Sequence, residues 1–100
     1  MTYEFLKKNG KSLGTNDIYA NGIYSGTDEY FLYNDELYKR TNPTNAFHYD
    51  GKPTTEKIIG DFVDGNVRNH LTIYNDSYFI DLLGIPKEIY KRLCEIYTEE

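Results

Sequence analysis

Residues 17–38, with the sequence DIYANGIYSGTDEYFLYNDELY, decide the fold because runs rich in Tyr and Ile alternate there with turn sequences. Three turn candidates separate the runs: Asn21-Gly22, Gly26-Thr27 and Asn34-Asp35. Asn21-Gly22 is the strongest hairpin signal, since both residues accept the positive φ that a type I′ turn requires. The stretch therefore predicts a meander of short antiparallel strands.

A two-residue turn at Asn34-Asp35 distributes the flanking side chains over two sheet faces, since successive strand residues point to opposite faces. One face receives Tyr30, Leu32 and Leu37. The other face receives Phe31, Tyr33, Glu36 and Tyr38. The turn thus predicts which aromatic side chains share a layer.

Residues 71–82 echo the pattern of residues 29–41 and predict a second hairpin. A turn at Asn75-Asp76 places four apolar side chains on the core face: Leu71, Ile73, Tyr78 and Ile80. Similar turn chemistry explains the echo without an internal duplication. The two hairpin units together predict an antiparallel sheet of about five short strands.

Three helices are predicted, near residues 3–9, 55–64 and 86–97. Thr2 suits the N-cap of the first helix, and Gly10 follows its end. Thr54 or Thr55 suits the N-cap of the second helix, and Pro86 suits the start of the third. The buried stripes are Ile58, Ile59 and Phe62 in the second helix, and Ile89, Leu93 and Ile96 in the third. Residues 1–100 are expected to form a single α+β domain of two layers.

The charge of the chain is unevenly distributed along the sequence. Between Ser12 and Tyr38 there are five acidic residues and no Lys or Arg, which accounts for the formal net charge of -5 of the whole chain. Phosphates have to be met by Lys and Arg, so this window disfavours nucleic acid as a partner. Carboxylates interleaved with Tyr suit a protein partner with a basic surface. The predicted partner-binding residues are Asp28, Glu29, Asp35, Glu36, Tyr24, Tyr33 and Tyr38.

The leading functional expectation is a non-enzymatic, acidic protein-binding module. Residues with A/T-rich codons dominate the composition, which is typical of low-G+C bacteria, their phages and their mobile elements. If the partner is a nucleic-acid enzyme of the host, the carboxylates would occupy its phosphate sites and the protein would act as an inhibitor. The alternative for the same carboxylates is that they only keep a small domain soluble.

Two other function classes stay open. Residues 42–53 form a polar loop around which a nucleotide or nucleic-acid site would gather, with the predicted site residues Lys39, Arg40, His48, Asp50 and Arg68. A small enzyme would instead use His48 as a general base oriented by Asp50. A homodimer is a further alternative, with a shared face of Phe31, Tyr33, Tyr38, Thr72 and Phe79.

No cofactor or metal site is expected. His48 and His70 have no Cys, His or Glu partner at metal-ligand spacing, and His70 is expected at an exposed sheet edge. Cys94 is the single cysteine, so no internal disulfide is expected. The apolar runs are too short to span a bilayer, so a cytoplasmic protein without a membrane partner is expected.

Overall fold

The computed structural model describes residues 2–44, 52–60 and 66–98. In chain order, the elements are α1 (Tyr3–Asn9), β1 (Lys11–Ala20), β2 (Ile23–Tyr33), β3 (Glu36–Pro43), β4 (Thr54–Ile59), α2 (Val67–Ile73), a π-helical segment (Tyr78–Leu82) and α3 (Lys87–Thr98). The strands form one antiparallel meander in the order β1-β2-β3-β4. The predicted α+β class is therefore confirmed, with four strands in the described ranges rather than five.

Two of the three predicted turns are confirmed. Asn21 and Gly22 have φ values of 53° and 79°, and they join β1 to β2. Asn34 and Asp35 have φ values of 55° and 60°, and they join β2 to β3. Positive φ at both central residues is the signature of the type I′ hairpin turn.

The third predicted turn, Gly26-Thr27, is wrong. Gly26 lies inside β2 at a φ of 150°, next to a register irregularity opposite Ile18 and Tyr19. A Cβ atom at Gly26 would lie 2.6 Å from the backbone oxygen of Asn42 on β3. Glycine is required there because two strand backbones approach closely, and not because the chain reverses.

The two sheet faces carry the side chains that the Asn34-Asp35 turn predicts. On one face, the main core consists of Leu13, Tyr30, Leu37, Ile59, Val67, Phe79, Ile85, Ile89 and Leu93. On the other face, α1 packs through Leu6 against Phe31 and Tyr38. The cross-strand pairs Leu32↔Leu37 and Phe31↔Tyr38 fix this assignment.

The first helix is confirmed at Tyr3–Asn9, with the Thr2 hydroxyl accepting from the Phe5 amide at 3.2 Å. Because α1 covers its sheet face, Phe31 and Tyr38 are only 2% and 3% exposed. Phe79 is also fully buried, in the main core. These three aromatic side chains therefore do not form an exposed face for a homodimer.

The helix predicted at 55–64 is wrong, because Thr54–Ile59 forms β4. Leu37 of β3 pairs with Ile59 of β4, and both side chains enter the main core. Adjacent β-branched residues such as Ile58 and Ile59 are consistent with a strand as well as with a helix stripe, and the partner strand decides. Residues 61–65, including Phe62, lie outside the described residues.

The second hairpin predicted at 71–82 is also wrong. Residues 71–73 end α2, and residues 78–82 form the π-helical segment. The Asn75 side chain accepts from the Tyr78 amide at 3.2 Å, which is an N-cap contact. Asn and Asp favour both helix caps and tight turns, so similar turn chemistry at positions 34–35 and 75–76 gave two different structures.

His70 is not at a sheet edge. It lies in α2, is 1% exposed, and its Nδ1 is 2.9 Å from the Asn66 backbone oxygen. The rings of Tyr74 and Tyr78, themselves stacked at 3.9 Å, pack beside it. The third predicted helix is confirmed as Lys87–Thr98, and it buries Ile89 and Leu93.

The burial of Leu37 leads to a prediction about stability. Leu37→Ala should lower the free energy of unfolding by about 2–5 kcal/mol, because it empties a fully buried site shared by β3, β4 and the helices. Leu82→Ala is the matched control, since Leu82 is 72% exposed, and it should change stability by less than about 0.5 kcal/mol. Urea unfolding followed by circular dichroism measures both. Equal effects would contradict the burial pattern.

Candidate functional site

The sheet is longer than its main core. The described helices pack over the end near Asn34-Asp35, and the core includes Tyr30 of β2 as its last sheet residue toward the other end. Beyond Tyr30, β2 continues through Asp28 and Gly26 toward the Asn21-Gly22 turn. This far end combines two features, a cleft on the core side of the sheet and an exposed hairpin tip.

The cleft has a volume of about 290 Å³. It is lined by Ile18, Asp28, Lys39, Thr41, Pro43, Lys52, Thr54 and Glu56. Its floor follows from the strand register, which places Asp28, Thr41 and Thr54 side by side on three strands. In the next row of the register, Gly26 of β2 lies between Ile18 of β1 and Pro43 of β3. Because glycine has no side chain, it leaves space between these two apolar residues.

Charges of both signs meet in the cleft. The Thr41 hydroxyl donates to Asp28 Oδ1 at 2.6 Å, and Lys39 Nζ lies 3.3 Å from Glu56 Oε1. The side chain of Lys39 is 27% exposed and that of Glu56 is 61% exposed, so this ion pair forms part of the rim. Within the described ranges, Asp28 has no ion pair. Lys52 also lines the cleft, so the lining contains two lysines and two carboxylates.

Tyr30 follows Asp28 by two residues on β2 and belongs to the main core. The residue is 3% exposed, and in the described part of the chain its hydroxyl makes no hydrogen bond. Burial, with smaller contributions from the charges of Asp28 and Glu56, raises the pKa of Tyr30 from 10.0 to about 12. Both carboxylates therefore act at a buried, unpartnered phenol.

The hairpin tip, residues 17–27, carries the second feature. The last pair between β2 and β3 is Gly26↔Pro43, whereas β1 and β2 continue to pair through Ala20↔Ile23. Three large side chains are exposed on this projection: Tyr19 at 63%, Ile23 at 52% and Tyr24 at 41%. The rings of Tyr19 and Tyr24 meet edge to face at 5.8 Å, and the Tyr24 hydroxyl is 2.8 Å from Thr27 Oγ1. The two rings therefore contact each other although both are exposed.

The structure separates the four carboxylates that the sequence grouped as a binding face. Asp28 lies in the cleft, while Glu29 is on the opposite sheet face beneath α1. The Tyr3 hydroxyl donates to Glu29 at 3.4 Å and Ser12 donates to it at 3.3 Å. Arg40, which pairs with Glu29 across the strands, stacks 3.8 Å over the Tyr3 ring. Glu29 therefore belongs to the network that holds α1.

Glu36 is bonded within the fold as well. Lys57 Nζ lies 2.6 Å from its Oε2, and the Tyr38 hydroxyl donates to its Oε1 at 3.1 Å. Burial and this hydrogen bond raise the pKa of Tyr38. The Glu36 charge is therefore compensated by a cation from the neighbouring strand β4.

Asp35 joins the sheet to the helices. Its carboxylate accepts from the Tyr97 hydroxyl at 2.8 Å, and its backbone oxygen accepts from the Val67 amide at 2.8 Å. Tyr33 nearby packs edge to face against Phe5 of α1 at 5.1 Å. Of the seven predicted contact residues, Tyr24 and Asp28 lie at the far end of the sheet, and the other five make contacts that hold the fold together.

The residues predicted for a nucleic-acid site are also divided. Lys39 lines the cleft, whereas Arg40 lies on the other face over Tyr3. Arg68 belongs to α2 and lies 4.9 Å over the Tyr97 ring. His48 and Asp50 lie outside the described residues, so the predicted enzyme site stays a prediction.

The predicted contact residues did not include Tyr19 and Ile23, and sequence reasoning missed Glu56 as a partner of Lys39. The signal for the first two was present, because they flank the Asn21-Gly22 turn that was identified. Glu56 carried no such signal, since its role depends on β4 pairing with β3.

Tyr30 makes a pH prediction. Between pH 10 and about 12, the unfolded chain loses the phenolic proton while the folded chain keeps it, so stability falls as the pH rises through this window. Tyr30→Phe should lessen that loss, and at neutral pH it should be unchanged or more stable by about 1 kcal/mol because an unpaired buried hydroxyl is removed. Denaturant unfolding from pH 8 to 11.5 measures this, with the window set by the Tyr30 shift.

The control for this series is Tyr19→Phe, which removes an exposed hydroxyl and should keep the wild-type pH profile. If Tyr30→Phe also keeps the wild-type profile, the Tyr30 hydroxyl is not the group whose proton is retained.

In the described ranges, none of the helices is long and apolar enough to cross a membrane. Among those same residues, no three or more His, Cys, Asp or Glu side chains are grouped so that they could hold a metal ion. Compared with known proteins, the chain matches no family model, no curated protein and no solved structure.

Proposed function

We propose that the protein is a non-enzymatic binding module that docks on a basic surface of another protein through its hairpin tip. The observation that carries this proposal is the exposed cluster of Tyr19, Ile23 and Tyr24 on a projecting hairpin within the acidic window. The cluster supplies contact area, and the Asp17 carboxylate on the same face as Tyr19 supplies orientation.

The exposed side chains suit a protein contact. Tyrosine offers a large, rigid surface with a polar end, and it is enriched among residues that dominate binding energy. The rings of Tyr19 and Tyr24 already contact each other edge to face in the free chain, which favours a preformed contact surface. Ile23, beside the turn, extends the apolar area around the tip.

The charge at this end of the sheet favours a cationic partner. Glu36 is paired with Lys57 and Glu29 lies across from Arg40, whereas Asp17 at the tip has no ion pair among the described residues. Asp17 is exposed there, on the face that also carries Tyr19. Carboxylates around an apolar contact steer a basic surface into place and increase the association rate.

More specifically, we propose that the partner is a nucleic-acid enzyme and that the protein inhibits it. Enzymes that bind nucleic acid present Lys and Arg to phosphates, and the Asp17 carboxylate beside the exposed cluster would compete for the same cations. The A/T-rich codon bias agrees with a phage or mobile element as the source. Charge complementarity is the support for this form.

A variant that lacks the aromatic side chains of the hairpin tip tests whether the tip binds the partner. Tyr19→Ser combined with Tyr24→Ser should weaken binding to the captured partner by about 30-fold or more, because it removes two anchors of the contact. The partner is first captured from a low-G+C bacterial lysate treated with nuclease, then purified, and its affinity is measured by titration calorimetry. Circular dichroism confirms that the variant is folded.

The matched control removes two exposed apolar side chains elsewhere. Ile73→Ser combined with Leu82→Ser changes residues that are 58% and 72% exposed, outside the tip, and should keep wild-type affinity. A partner that binds the tip variant as tightly as wild type, or that is lost with the control instead, refutes docking through the hairpin tip.

A further inference from the structure

We propose that Asn21 is a site of spontaneous covalent modification, at which the side-chain amide is lost and an isoaspartate or an aspartate remains. The reaction involves only this chain and water, so the inference is independent of the proposed function. The product adds a carboxylate to the hairpin tip, directly before the exposed Ile23. The tip would therefore change its charge and its backbone with time.

The reaction has two steps. The Gly22 backbone nitrogen attacks Cγ of Asn21, a C–N bond forms, and the Cγ–Nδ2 bond breaks as ammonia leaves with the proton of the Gly22 amide. Water then opens the five-membered imide. Opening at the backbone carbonyl carbon of Asn21 gives isoaspartate, and opening at Cγ gives aspartate. Glycine favours the first step because it has no Cβ that would hinder ring closure.

The sequence contains the Asn-Gly pair twice, at residues 9–10 and 21–22. The dipeptide alone therefore assigns the same reactivity to Asn9 and Asn21. Both asparagines are exposed in the fold, so exposure does not distinguish them either. The hydrogen bonds around the two pairs are different.

Asn9-Gly10 is held at the end of α1. The nitrogen that would attack, that of Gly10, donates to the Leu6 backbone oxygen at 2.7 Å. The Asn9 side-chain nitrogen donates to the Phe5 backbone oxygen at 3.0 Å. Ring closure at Asn9 therefore requires both hydrogen bonds to break and the last turn of the helix to unwind.

Asn21-Gly22 lacks these restraints. Within the described ranges, neither the Asn21 side chain nor the Gly22 amide makes a hydrogen bond. A Cβ atom at Gly22 would have open space around it. Ring closure requires the Asn21 backbone to rotate out of the turn, and the turn joins only two strands because β3 pairs with β2 no further than Gly26. Local opening of such a projecting end costs little free energy.

The second type I′ turn, Asn34-Asp35, is an internal comparison with the same backbone conformation. There the attacking nitrogen belongs to Asp35, whose side chain hinders ring closure. The Asp35 carboxylate also accepts from the Tyr97 hydroxyl at 2.8 Å, and its backbone oxygen accepts from the Val67 amide at 2.8 Å. Asn34 should therefore react more slowly than Asn21.

The first experiment compares the three asparagines in one folded sample. The chain is incubated at mildly alkaline pH, which promotes loss of the attacking amide proton, and peptide mapping by mass spectrometry follows each site with time. Asn21 should convert about tenfold faster than Asn9 or more, because two hydrogen bonds protect Asn9. Asn34 should also be slower than Asn21. Equal rates at Asn9 and Asn21, or no conversion at Asn21, would overturn the proposal.

The matched control is the same chain in concentrated guanidinium chloride. Unfolding removes the protection of Asn9, so both Asn-Gly pairs should convert at similar rates. A difference that persists in the unfolded chain would show that the fold does not select the site. Asn21→Gly removes the reacting amide and keeps a residue that accepts positive φ. If the peptide that contains residue 21 of this variant still gains mass in the same way, another group is modified and Asn21 is not the site.

The consequence for binding rests on the proposed function. Isoaspartate lengthens the backbone of the turn by a methylene carbon, so the two-residue turn no longer matches the Ala20↔Ile23 pair. The contact between Tyr19 and Tyr24 next to this pair should be disturbed. The isoaspartate form, separated by chromatography, should bind the captured partner about tenfold more weakly than the fresh chain.

The two proposals can fail separately. If Asn21 converts and the isoaspartate form binds the partner as tightly as the fresh chain, the modification stands and the tip contact is refuted. If Asn21 does not convert while the Tyr19→Ser and Tyr24→Ser variant loses the partner, docking through the tip stands and the modification is refuted.

Discussion

The pairing of β2 with β3 across the Asn34-Asp35 turn is the constraint on which the rest of the structure depends. It places Leu37 in the main core and Tyr38 under α1, so one strand pair supplies both apolar layers. A slip of one residue would exchange the two faces and expose both sets of side chains. The turn also holds the helices, since Asp35 accepts hydrogen bonds from the Val67 amide and the Tyr97 hydroxyl. The positive φ at both turn residues fixes the hairpin and the helical layer together.

Because the strands extend past the main core, the end of the sheet near the Asn21-Gly22 turn does not contribute to that core. Toward the Asn21-Gly22 turn, the core side chains give way to the polar cleft around Asp28 and to the exposed rings of Tyr19 and Tyr24. Sheet pairing also changes the charge pattern, because cations from β3 and β4 lie beside acids of the window. Lys57 on Glu36 is the clearest case, at 2.6 Å. Part of the negative charge of this region is therefore paired with cations in the fold.

The sequence by itself determined the elements whose signals are local. The cap at Thr2, the apolar spacing of α3 and the two turns with positive φ all depend on residues within a few positions of one another. The two faces around Asn34-Asp35 followed from alternation alone, and Tyr30 and Phe31 lie on the faces expected. The α+β class came from the same signals. Of the candidate site, the sequence identified Tyr24 and Asp28, together with the turn that exposes their end of the sheet.

Only the tertiary structure decided the elements whose signals were ambiguous. The run Ile58-Ile59 suits a helix or a strand, and pairing with Leu37 made it β4. Asn75 suits a turn or a helix cap, and its side chain accepts from the Tyr78 amide at the start of the helical segment that buries Phe79 in the main core. His70 is buried for the same reason, as a residue of a packed helix rather than of an exposed edge. In each case the deciding contact joins residues distant in sequence, and local propensities of about 1 kcal/mol do not outweigh the burial of a large apolar side chain.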